Sequence, residues 1–124
     1  MIINITNKKE LENAQEMVDL LGTKLMDKLE IAEFILDDEN TLRLVKQDNN
    51  TMTPSEVLKE IKDMAELITK NDKADRKMRE EKNFDFCLPQ EESDLAHSYR
   101  SVFTDKYNVF YAEILDTMYR KKMI

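Results

Sequence analysis

A mainly α fold is what this chain predicts: a small helical domain with long N- and C-terminal helices and at most a minor, short β element. Three observations carry that prediction. One Gly and two Pro among 124 residues leave little material for the repeated tight turns of an all-β fold. Charged residues make up 36% of the chain against the usual quarter, which suits long solvated helix faces. Apolar residues also recur at spacings of three and four over most of the length, the period of an amphipathic helix. The length fits a single domain spanning 1–124, large enough for one core.

Ile2 to Ile5 is short and β-leaning. Asn7 then opens a capping signature completed by Glu10, and Leu11, Ala14, Val18, Leu21, Leu25, Leu29, Ala32, Ile35 and Leu36 continue a helical series. Gly22 lies inside it, so residues 7–36 form either one helix with a weak point or two, with Gly22 ending the first and Thr23 capping the second. Asp37 to Asn40 reads as an acidic turn, and Thr41 to Lys46 as a strand candidate to pair with the N-terminal segment or with Phe84 to Phe86. Thr53 as N-cap, Pro54 at the first helical position, Glu56 closing the box and Met52 stapled onto Val57 start the next helix. Its stripe is Val57, Ile61, Met64, Ala65 and Ile68. From Lys70 to Asn83 only Ala74 and Met78 continue that stripe, which predicts a charged helical extension or connector at about 70–83. Beyond Pro89, Ser93 caps a last helix through Leu95, Tyr99, Phe103, Tyr107, Phe110, Tyr111, Ile114 and Met118, read as one element about 40 Å long. Arg120, Lys121 and Lys122 complement the negative end of its dipole.

Composition also narrows function. The net charge of -7 opposes binding to phosphate backbones, whose affinity comes from clustered Lys and Arg. No apolar run approaches the roughly 20 residues of a membrane span, no signal segment opens the chain, and the single Cys87 has no disulfide partner, so the expected setting is the cytoplasm. Fourteen Lys against five Arg, with nine Asn and nine Ile, point to an AT-rich coding genome and hint at a low-GC bacterium or its phage.

No constellation for catalysis emerges. His97 is the only histidine, and no motif places a nucleophile beside it; Asp94 and His97 have the i, i+3 spacing of di-iron bundles, but such sites need two copies. Lone Cys87 cannot make a thiolate site, and Asp37, Asp38 and Glu39 lack the spacing and central Gly of a calcium loop. With Gly22 the only glycine, no phosphate-binding loop can be written, so neither cofactor nor metal is expected. Val18 to Thr23 resembles the turn of a helix-turn-helix, yet Asp27, Glu30 and Glu33 would face the DNA.

What remains is protein binding. Residues 1–60 carry 13 acidic against 7 basic side chains, and six of the nine aromatics lie between Tyr99 and Tyr119. Phe103, Tyr107 and Phe110 suit a core, whereas Tyr99, Tyr111 and Tyr119 cannot all share one core stripe, and Tyr is enriched at interfaces. The expectation is a non-catalytic modulator or inhibitor of a host or phage macromolecule. It would act through Asp37, Asp38 and Glu39 in the acidic half and through Tyr99, Tyr111 and Tyr119. The alternative is a helical subunit or assembly chaperone of a homo-oligomeric complex.

Overall fold

A computed structural model describes residues 2–103 and 107–124, with the side chains of all of these except 107–110. The element order is β1 (Ile2–Ile3), α1 (Lys8–Lys28), β2 (Ile31–Leu36), β3 (Leu42–Lys46), β4 (Thr51–Met52), α2 (Pro54–Glu81), a 3₁₀ turn (Phe84–Phe86), α3 (Gln90–Arg100) and α4 (Tyr107–Arg120). The fold is thus mainly α, but its β part is a four-stranded sheet in the order β1-β2-β3-β4, more than the minor element expected. Two compact units divide the chain: Met1–Lys59 with Ala112–Ile124, and Glu60–Tyr111.

The first unit is built on the sheet. β1 runs parallel to β2 across the α1 crossover, and two hairpins make β2, β3 and β4 antiparallel. Directly paired residues share a face, so Ile3, Phe34, Leu44 and Met52 form one row and Leu36 with Leu42 another. Phe34 and Leu44 are wholly buried, as are Ala14, Met17 and Leu25 of α1, Val57 of α2, and Ile114 and Met118 of α4. Each of these side chains larger than alanine contributes roughly 1.5–3 kcal/mol. The row on the other face, Ile2, Glu33, Val45 and Thr51, has exposed ends.

Helix starts follow the sequence signals. The Glu10 amide donates to Asn7 Oδ1 at 3.2 Å, and the Glu56 amide donates to Thr53 Oγ1 at 3.2 Å, with Pro54 opening α2 as expected. Met52 and Val57, the expected staple pair, are both buried. At Gly22, φ 73° and ψ 162° break the helical geometry, so α1 is two helical segments joined at a kink.

The helical reading of residues 31–36 is corrected: α1 ends at Lys28 and Ile31–Leu36 is the strand β2. Glu30, at φ 59°, turns the chain out of the helix, its amide donating to the Asp27 carbonyl at 3.1 Å. A register shift between Ile31 and Glu33 inserts an extra residue, so Ile31 and Phe34 are both buried although three apart. A bulged strand thereby copies helical spacing. Strand 42–46 pairs with β2 and β4, not with residues 84–86 and not directly with the N-terminal strand. Its two turns place Asn40 at φ 59° and Asn49 at φ 70°. Asn tolerates this left-handed region, so hairpins formed without Gly.

In the second unit, Ile61, Met64, Ala65 and Ile68 form the buried stripe of α2, and Asn71 extends it as a buried polar residue. The charged stretch after Lys70 stays helical to Glu81, so it is an extension of α2. Lys70 pairs with Glu92 at 3.6 Å, and Asp72 accepts from Arg100, tying α3 to α2. The long last helix is also corrected. α3 starts at Gln90, behind Pro89, so Ser93 is inside it and caps nothing at the start; it ends at Arg100, and α4 is separate. The Ser101 hydroxyl donates back to the Ser98 carbonyl at 2.7 Å while the Val102 and Phe103 amides make i−3 bonds, winding the chain out of α-helix.

Candidate functional site

The expected partner-binding residues fall on three elements. On α4, Ile114 and Met118 are wholly buried and Thr117 nearly so, which fixes one face of the helix in the core. Tyr119, one residue beyond Met118 and about 100° around the helix, is 64% exposed. Tyr111 is half-buried, eight residues earlier, hence about 12 Å along the axis and about 80° away in rotation. Tyr99 is half-buried on α3, so Tyr99, Tyr111 and Tyr119 do not share one helix. Phe103 is buried, as expected of a core ring; the side chains of Tyr107 and Phe110 lie outside the described residues.

The end of α4 is locally built. The Lys122 amide donates to the Tyr119 carbonyl at 3.1 Å and the Met123 amide to the Met118 carbonyl at 2.9 Å, with Lys122 at φ 58°. This is a Schellman cap with lysine in the left-handed position. Arg120 Nη2 donates to Thr117 Oγ1 at 3.4 Å. Tyr119 therefore sits on a capped helix end beside three exposed cations, Arg120, Lys121 and Lys122.

Asp37, Asp38 and Glu39 form the β2–β3 turn, and their roles differ. Asp37 Oδ1 accepts from the amides of Glu39 and Thr41, both at 2.9 Å, and Oδ2 accepts from Arg43 Nε at 3.0 Å. The Thr41 amide, then the Arg43 guanidinium, then the Glu39 amide hold its carboxyl below the usual 3.8. Asp37 is committed to the hairpin, whereas Asp38 and Glu39 are exposed.

His97 and Cys87 are exposed. Among the described residues no three His, Cys, Asp or Glu side chains are grouped to hold a metal. No helix of the described residues is long and apolar enough to cross a membrane.

A further exposed group escaped the sequence reading. Asn83 Oδ1 accepts from the Asp85 amide at 3.0 Å and starts the 3₁₀ turn, which lays Phe86 beneath the Lys77 ammonium, 4.2 Å from the ring centre. Phe84 stays outside, 79% exposed. The signal was present in Asn83-Phe84-Asp85-Phe86-Cys87-Leu88-Pro89, two rings about one carboxylate framed by a capping residue and a breaker. No protein-family model matches the chain, and no curated protein or solved structure matches it either.

Proposed function

We propose that this protein is a non-catalytic, cytoplasmic modulator or inhibitor that binds a host or phage protein. The observation that carries the reading is Tyr119: an aromatic ring 64% exposed on a helix whose neighbouring residue, Met118, is wholly buried. A ring held on a rigid, capped helix end loses little conformational entropy on binding, which is why such rings act as interface anchors. In the same unit, the exposed carboxylates Asp38 and Glu39 supply further contact chemistry.

Affinity purification from the native cell tests it, with the unsubstituted chain, Tyr119→Ala and Asp38→Lys/Glu39→Lys compared. One dominant protein partner should be recovered, and Tyr119→Ala should lose it while melting at the unsubstituted temperature. A partner retained equally by all three chains would refute the assignment of the surface.

A further inference from the structure

We draw no further inference here: the strongest candidate, the surface patch of exposed Phe84 and exposed Cys87 on the 3₁₀ turn between α2 and α3, is an unpartnered apolar patch with charges of both signs beside it, and nothing in the structure shows what covers it.

Discussion

Replacing Lys82 or Lys122 by glycine should stabilise the protein, the reverse of what glycine does inside a helix. Lys82 follows α2 at φ 53° and Lys122 follows α4 at φ 58°, both in the left-handed region. The Asn83 amide reaches back to the Met78 carbonyl at 3.2 Å just as Met123 reaches Met118, so both lysines occupy the position that Schellman caps usually give to glycine. A residue with a Cβ holds that conformation at a cost of roughly 1–2 kcal/mol. Glycine removes the strain but loses more backbone freedom on folding, an offset of roughly 0.5–1 kcal/mol. The net expectation is a gain of about 0.5–1 kcal/mol at each site. Urea unfolding reads it as a raised midpoint with unchanged slope. A loss of about 1 kcal/mol, the ordinary penalty for glycine in a helix interior, would refute the capping argument.

Thr53→Ala should cost about 1 kcal/mol through the lost cap, measured by the same unfolding curves. Phe34→Ala, which empties a fully buried position on the central strand β2, should cost roughly 3–5 kcal/mol. Gly22→Ala should destabilise by roughly 1–3 kcal/mol although nothing lies within 4 Å of the added methyl, because the backbone itself is unfavourable. The Asp37 carboxyl is held below 3.8, so its stabilisation is complete above that pH and is lost as pH falls from there through the lowered folded value. Thr41 amide exchange should therefore quicken in acid relative to the chemical rate, and Asp37→Asn should remove that dependence; an unchanged acid dependence in Asp37→Asn would assign it to another group.

Local signals read from sequence were reliable where one short motif dictates the backbone. The Asn7–Glu10 and Thr53–Glu56 signatures set the starts of α1 and α2, because a cap is satisfied within four residues. Readings that leaned on periodicity over longer stretches failed where a non-local partner decided the outcome. Ile31–Leu36 becomes a strand because β1 and β3 pair with it, and its bulge disguised the alternation. The break between α3 and α4 rests on Ser101 and Val102, neither of which forbids a helix. At the candidate site, Tyr119 was legible as a ring off the core stripe, set by Ile114 and Met118. Phe84 was read with Phe86 as a strand-pairing candidate, because the alternation Phe84-Asp85-Phe86 fits a short strand as well as the turn it forms.

The scarcity of glycine, which argued for helix, has a more specific meaning in the structure. Six described residues have positive φ: Gly22, Glu30, Asn40, Asn49, Lys82 and Lys122. The five non-glycine residues lie at φ 53–70°, the left-handed region that Asn adopts readily and that Glu and Lys adopt with modest strain at a helix end. Gly22 differs: φ 73° with ψ 162° falls in a region that residues with a Cβ essentially never populate. The only glycine of the chain therefore stands at a position where no other residue would do, and the hairpin turns and helix ends make do with Asn, Glu and Lys. Ala14, Met17 and Leu21 are buried before the kink and Leu25, Met26 and Leu29 after it, so the kink sets how the two segments can be buried together in one unit. A straight α1 would carry the same residues on one continuous stripe, and the turn at Glu30 into the central strand β2 would start from a different point. Composition counted the breakers correctly; what it could not weigh is that one glycine, rightly placed, is enough for a four-stranded sheet when asparagine supplies its turns.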